Sequence, residues 1–499
     1  TTGFIISSLA LIATFKRTGW IGTAFGILII LIIRKQWKTI AFGVVLFIIL
    51  LQFEKNVSEL IVFAVSDNKI ERLYEIETEG RATDVFELNG YQVVSDYENG
   101  ISIYDDSLLV KNISTPAPVI SFAHLKDELY LSGLVDTRFI LFKRDNLDFI
   151  LLTEIIPPGF TVDYKVNNGC LYVLDSDSGL TVYSFENNAI DRMNYPNFAG
   201  YKFLCTDSSK IYFSSVDSGL TVYELKNNLP IKQISRSEKK NLEYLYLDKK
   251  LLIASYPDGI VFYKTNGERI YNFGLLSSIN NIRQITSSDN VFFIVKGNGE
   301  LLELKLAHND SFKVNSLGSL GFIPNSINFF DDKIYVTNVK RSRLMSIFDP
   351  YIPSNFNRIA LWTAGFRIFK DHPVFGVGDI DLAELYKQYK RPYDKEIQGH
   401  MHNNFIHFLV TLGIFGFIAI LFLFSKMIMI DYKVYKQVKD KPFLSSLALG
   451  TLASFCGTLA AGLTELNFWD QEIQTLIWFT FGLNFALFLL AKKESETHK

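Results

Sequence analysis

Four of the seven histidines in this 499-residue chain lie between His372 and His407. Three of them, His400, His402 and His407, crowd the entry to a long apolar run. Arg358 and Arg367 precede this cluster, and Arg17 stands far upstream between two apolar stretches. Guanidinium groups match phosphate oxygens bidentately and stabilise the negative charge on a departing pyrophosphate. An imidazole kept neutral can take a proton from a hydroxyl. Two or three arginines with one neutral histidine therefore form a set suited to displacing a lipid-borne diphosphate. Zinc is the rival use of the histidines. Its ligands would be the H-x-H pair plus a residue inside the apolar run, with no cysteine or carboxylate at ligand spacing, so neither a metal nor another cofactor is expected.

Among the histidines, His402 is singled out by the helix it precedes. Asn403 or Asn404 can cap a helix over residues 405–424, which sets His402 at the positive end of the dipole and disfavours a protonated ring. His400 is the second candidate base. His407, one and a half turns into the helix, faces elsewhere and reads as a buried polar contact. Upstream, Arg358, Trp362, Gly365 and Phe369 recur at helical spacing, an amphipathic helix suited to a membrane surface. Asp371-His372-Pro373 ends that helix, and the H-P-V-F-G-V-G stretch that starts at His372 reads as a tight turn whose Gly376 and Gly378 serve backbone geometry, not a phosphate cradle.

The elements around these residues are of two kinds. Apolar residues make up 48% of the chain and concentrate at its two ends, while the middle is rich in Asp, Asn, Ser, Tyr and Gly. That distribution is expected of a membrane protein carrying a soluble insert, and the length calls for at least two domains. Residues 4–13, 20–33 and 39–53 form the first apolar block, and residues 405–424, 443–463 and 475–491 the last. The chain opens inside an apolar run without Met, as a fragment starting partway through a helix would. Arg34, Lys35, Lys38, the lysines between Lys426 and Lys441, and Lys492, Lys493 and Lys499 fall on one side if every apolar run spans once, whereas residues 464–474 carry no Lys or Arg. The basic side is then cytoplasmic, and Arg17 and the histidine cluster face the other way. Gly450, Gly457, Ala460, Ala461 and Gly462 give the 443–463 run a face for tight helix packing. Glu465, in the outer loop, could reach the neighbourhood of His402, but a solvated side chain is the favoured expectation. A net charge of −2 excludes a nucleic-acid partner, and Cys170, Cys205 and Cys456 have no pairing or metal spacing.

The middle of the chain repeats. Gly179, Gly219, Gly259 and Gly299 stand 40 residues apart in D-S-G-L-T-V-Y, D-S-G-L-T-V-Y, P-D-G-I-V-F-Y and G-N-G-E-L-L-E. Gly100 lies two periods earlier, and degenerate copies at residues 136–140 and 341–344 bring the count to seven. A strand, a glycine turn and a second strand every 40 residues is what one blade of a β-propeller requires. Tyr104, Tyr183, Tyr223 and Tyr263, each four residues after the glycine, are read as blade-to-blade packing. Ring closure brings first and last blades together, so such a domain interrupts a loop without parting its ends. The fold class is thus a multi-pass α-helical membrane protein with an inserted all-β domain, a seven-bladed propeller. Its divisions are residues 1–55 (the end of one span and two short spans), 56–350 (propeller), 351–402 (loop with amphipathic helix) and 403–499 (three spans and a tail).

K-R-T-G-W around Arg17, Arg358, Trp362, H-P-V-F-G-V-G, and His402-Asn403 leading into Leu412-Gly413-Ile414 together resemble the O-antigen ligase and polymerase family of membrane glycosyltransferases. The resemblance covers residues 17–53 and 358–490 and excludes the propeller. It implies transfer of an oligosaccharide from undecaprenyl pyrophosphate to an acceptor hydroxyl at the outer face of a bacterial cytoplasmic membrane, without a metal. The acceptor would be lipid A core or another surface glycan for a ligase, and a second lipid-linked unit for a polymerase. Membrane lipids surround the spans, the partner of the propeller is open, and the C-terminus would be cytoplasmic. Residue by residue, Arg17 and Arg358 would hold the pyrophosphate, with Arg367 a weaker third, and His402 would deprotonate the acceptor; His400 and Asn403 are secondary candidates. A non-catalytic anchor presenting the propeller as a binding or sensing module is the alternative from another class.

Overall fold

A computed structural model describes residues 17–53, 57–66, 69–186, 189–215, 219–237, 239–249, 251–266, 269–277, 279–288, 291–306, 312–340, 349–350, 352–391 and 397–497. The chain divides into two compact units, Asn56–Arg341 and the flanking Thr1–Lys55 with Ser342–Lys499.

The first unit is a propeller of seven four-stranded antiparallel sheets among the described residues. The innermost strand of each sheet packs on that of the next, and Ser326–Phe330 packs on Asp84–Leu88 to close the ring. Seven apolar clusters fill the seven gaps between sheets, so each blade buries both faces against neighbours. Tyr104, Tyr183 and Tyr263 are buried in these gaps, each against the preceding blade, and Tyr223 is half-buried in the same role.

The repeated glycines sit between the second and third strands of five blades. Their φ values are +83° at Gly100, +80° at Gly179, +67° at Gly219, +135° at Gly259 and +81° at Gly299, a region open to glycine at no steric cost. A Cβ at these positions would also strike a backbone carbonyl at the end of the blade's fourth strand, such as Tyr195 O at Gly179. In the degenerate second blade Arg138 stands in the glycine's place, and the left-handed residue is Thr137, one position earlier, at φ +69°.

The count of seven holds, and the seventh blade is assembled differently from the other six. The expected copy at residues 341–344 lies outside the described residues. The seventh sheet takes its third and fourth strands from Val57–Ser66 and Lys69–Glu77, at the opposite end of the domain. Val57–Ser66 pairs antiparallel with Lys333–Lys340, from Val57 opposite Lys340 to Ala64 opposite Lys333. The physical reason is connectivity: the glycine turn joins second to third strand, and in this blade the chain enters and leaves there instead, so no glycine marks it. Across the seam Ser326 Oγ donates to Asp84 Oδ1 at 2.7 Å and Asn328 Nδ2 to Val85 O at 2.9 Å.

The second unit is helical: α1 (Arg17–Ile33), α2 (Trp37–Phe53), α3 (Pro353–Asp371), α4 (Leu382–Tyr389), α5 (Asn404–Val438), α6 (Pro442–Ala461) and α7 (Gln471–Thr497). Among the described residues three helical stretches are long and apolar enough to cross a membrane, Asn404–Val438, Pro442–Ala461 and Gln471–Leu490; the apolar Ile21–Ile33 is shorter. Lys426, Lys433 and Lys436, placed in a loop by their charge, lie on the last turns of α5, which at 35 residues exceeds the roughly 20 that a bilayer needs.

Small residues bring α1 and α6 together. A Cβ on Gly22 would lie 2.8 Å from Gly457 O, and one on Gly26 would lie 2.9 Å from Ala453 O. Rising numbers on α1 meet falling numbers on α6, so the two run antiparallel and Arg17 stands at the end where α6 finishes. Gly450, expected in this interface, has open space where a Cβ would stand.

Replacing Gly179 by Ala is expected to cost about 3 kcal/mol, from left-handed strain plus the contact with Tyr195 O, whereas Gly90→Ala, at φ +87° with nothing nearby, should cost about 1 kcal/mol. Denaturant melts of the two variants check the difference; equal losses would refute the role given to crowding.

Candidate functional site

The site is assembled where α5 begins, and two asparagines do the positioning. Asn403 is the N-cap: its Oδ1 accepts from Phe405 N at 2.9 Å and Ile406 N at 3.0 Å. Its Nδ2 donates to Leu463 O at 2.7 Å. Asn404 N donates to Gly462 O at 2.7 Å, and Asn404 Oδ1 accepts from Asn467 N at 2.8 Å. The H-N-N motif is thereby tied to the loop that follows α6. Gly462 leaves room for the Asn404 amide at the crossing, since a Cβ there would displace Asn404 Nδ2.

That tie delivers Glu465 to His402, at 2.8 Å between Oε1 and Nδ1. The expectation that Glu465 is simply solvated is replaced by the other reading: the loop, folded back by both asparagines, brings the half-exposed carboxylate onto His402. The hydrogen bond from His402 holds the Glu465 carboxyl below its ordinary range, with burial opposing and the charges of His402 and Arg358 assisting. An ionised Glu465 accepts the Nδ1 proton, so the proton-accepting lone pair of the ring falls on Nε2, which bonds no described residue. His402 itself adopts φ +43°, a conformation uncommon for a side-chain-bearing residue and one found at functional positions. His400 lies edge-on to it, ring centres 4.2 Å apart, and its Nδ1 accepts from His402 N at 3.3 Å. Burial lowers the pKa of His400, reinforced by the charge of His402 and opposed by Glu465.

Arg358 reaches the same carboxylate, Nη2 to Oε2 at 3.8 Å, too long for a hydrogen bond. Its Nε is buried without a partner among the described residues. This guanidinium therefore has donors to spend on something else. Arg358 and Glu465 line a groove of about 910 Å³ whose walls mix apolar side chains, Ile21 of α1, Phe455 of α6 and Ile477 of α7, with the hydroxyls of Thr458 and Thr480. Arg17 is the first residue of α1, one turn before Ile21, at the end of the helix where this groove lies.

Arg367 does not join the group. It stands nine residues after Arg358, half a revolution around α3 at about 100° per residue, and its Nη1 donates to Tyr389 O at 3.1 Å. The α3 helix is also no free surface helix. Leu361, Ala364 and Ile368 are buried with Leu382, Tyr386, Met401 and Val410, and Trp362 Nε1 donates to Met401 O at 2.9 Å. Ile359 and Phe366 remain exposed on the far side.

The H-P-V-F-G-V-G turn has a structural task that its sequence only half announced. The helix α5 is broken at Gly413, with φ +64° and ψ −169°, where an unbroken helix had been expected. The turn splices into the break: Val377 N donates to Val410 O at 3.0 Å, Gly378 N to Thr411 O at 2.8 Å, and Ile414 N to Pro373 O at 2.9 Å. Gly376 and Gly413 meet backbone to backbone, with no room for a Cβ on either.

The family model described as O-antigen ligase matches residues 316–421, which hold Arg358, Trp362, the spliced turn, His402 and Asn403. The match begins within the last propeller strands, ends within α5, and leaves Arg17 and Glu465 outside it. It supports a glycosyltransferase-type enzyme acting as ligase or polymerase on a lipid-linked glycan donor and a glycan acceptor, in a membrane protein. No curated protein matches. Among solved structures, the computationally designed Ika8 protein is 9% identical with a TM-score of 0.41, covering 56% of this chain and 95% of its own. Hsv2 of Kluyveromyces lactis is 14% identical with a TM-score of 0.39, covering 50% and 88%. Both likenesses are too loose to carry an argument.

Acid should destabilise this unit in two stages. His400, lowered from 6.5, contributes stability that is complete above that value and is lost as pH falls through its folded pKa. Glu465, lowered from 4.5, contributes stability that is complete above 4.5 and is lost below it. Tm measured against pH should lose its first slope in His400→Gln and its second in Glu465→Gln.

Proposed function

We propose that the chain transfers an oligosaccharide from an undecaprenyl-pyrophosphate carrier to an acceptor hydroxyl, as an O-antigen ligase does. One juxtaposition carries this reading: an arginine with unspent donors lines a groove that runs between apolar side chains of three helices, and it shares Glu465 with the histidine that this carboxylate orients. The groove suits a polyprenyl tail, and Arg358 stands where a diphosphate attached to that tail would emerge. Arg17, at the same end of α1, is the second cation for that diphosphate.

In the reaction, His402 Nε2 takes the proton of the acceptor hydroxyl as its oxygen attacks the anomeric carbon. The new C–O bond forms as the bond to the pyrophosphate oxygen breaks, with inversion. The electron pair leaves with the pyrophosphate, whose growing charge Arg358 and Arg17 stabilise. Glu465 stabilises the imidazolium that forms and keeps Nε2 toward the acceptor. The helices α1, α2, α5, α6 and α7 would be the spans of a bacterial cytoplasmic membrane protein. Their basic ends and the C-terminus would lie in the cytoplasm, and the site and propeller at the outer face. A polymerase shares this donor chemistry, with a second lipid-linked unit as acceptor.

His402→Ala should lower kcat on the order of 10²–10⁴-fold, the range for a lost general base. Arg358→Ala should do likewise, and Arg358→Lys should recover little because a bidentate contact is lost. Arg367→Ala, away from the site, should retain activity. Transfer by the purified chain from a lipid-linked glycan checks all four. Chain growth without an added acceptor would make it a polymerase, and full surface glycan in cells carrying the His402 and Arg358 variants would refute the enzyme reading.

A further inference from the structure

The loop that carries Glu465 has a second side. Leu466 and Asp470 line the Arg358 groove and also a separate cavity of about 340 Å³, whose other walls include His400, His407, Asp379, Thr411 and Trp469. Its volume is at the lower end of small-ligand sites, roughly 300 Å³ and upward.

His407 is the unexplained residue there. It is 3% exposed, and among the described residues neither Nδ1 nor Nε2 has a hydrogen-bond partner. The reading of His407 as a satisfied buried contact is not met. Thr411, the nearest hydroxyl by sequence, spends itself on the carbonyl of His407 at 2.8 Å, not on its ring. The ring stands edge-on to Trp469, centres 4.7 Å apart at 80°. Leaving two polar atoms buried and unpaired lowers stability, and such atoms persist where a ligand supplies the missing partner. An imidazole with both nitrogens open, an indole that is 60% exposed and carboxylates on the rim fit one class of ligand. A sugar ring offers hydroxyls to the first and third and its C–H face to the second. A lipid tail would leave the imidazole unpaired still.

We propose that this cavity is the acceptor subsite, where a sugar ring of the hydroxyl-bearing substrate lies against the exposed face of Trp469 and bonds the neighbouring His407 edge. This deepens the glycosyl-transfer reading and rests on it. His400 joins the two sides, since it lines the cavity and its Nδ1 bonds the backbone of His402.

The test uses the full chain in lipid nanodiscs with a polyprenyl-pyrophosphate oligosaccharide as donor and lipooligosaccharide, or a second lipid-linked oligosaccharide, as acceptor. His407→Phe keeps the ring against Trp469 and deletes only the unpaired nitrogens. It should leave Tm unchanged or raised while the acceptor KM rises about tenfold, as for one lost hydrogen bond to a ligand, and the donor KM stays put. Trp469→Ala should raise the acceptor KM, and Trp469→Phe should restore most of it. A fall in Tm for His407→Phe, or a change confined to the donor KM, would overturn the subsite. Binding without turnover separates this from failure of the reaction itself. Either acceptor probe should bind the His402→Ala chain and bind His402→Ala/His407→Phe about tenfold more weakly; equal affinity, or no binding by either probe to the first, refutes the proposal even where transfer occurs.

Discussion

Amide-to-backbone hydrogen bonds between the start of α5 and the end of α6 hold the site in place. Asn403 and Asn404 together reach Gly462, Leu463, Asn467 and Phe468, bracketing Glu465 on both sides. Between two apolar helices water is a poor competitor for these groups, so each bond is worth more than it would be at a wet surface. The side chains of His402 and Glu465 need little further support. Their backbones are fixed on either side of the tie, and the 2.8 Å contact between them follows.

A second set of bonds anchors the other end of the loop. The turn around Gly376 fills the break in α5 at Gly413, exchanging helical hydrogen bonds for bonds to the turn without leaving the groups orphaned. The segment carrying the histidines is therefore clamped at Gly376 and again at Asn403. With Trp362 bonded to Met401 O, the residue just before His402 is fixed as well. Precision of this order is what general-base catalysis demands, since a displaced imidazole loses the geometry before it loses the chemistry.

Much of this was legible in the residues. The 40-residue glycine period announced the propeller because a left-handed turn pressed against a carbonyl admits little else, and the asparagine cap was legible because its chemistry is local. The closing blade was not, since its strands come from opposite ends of the domain and its missing turn removes the marker. The pairing of Glu465 with His402 was one of two readings and not the favoured one, for a related reason. Nothing within a few residues of it signals a partner 63 positions away, and only the fold of two asparagine amides brings the pair together. The break at Gly413 was hidden in a run whose composition is that of an uninterrupted helix. Arg367 misled in the opposite way, its type being right and its angle around α3 wrong.

The seam of the propeller has a mechanical side. Val57 lies opposite Lys340, so both connecting segments leave from the same edge of one antiparallel pair. Tension between those segments loads the ladder end-on, opening its rungs one after another instead of shearing them together. The ring is closed by its final blade and is also most easily undone there, from the side on which the chain enters.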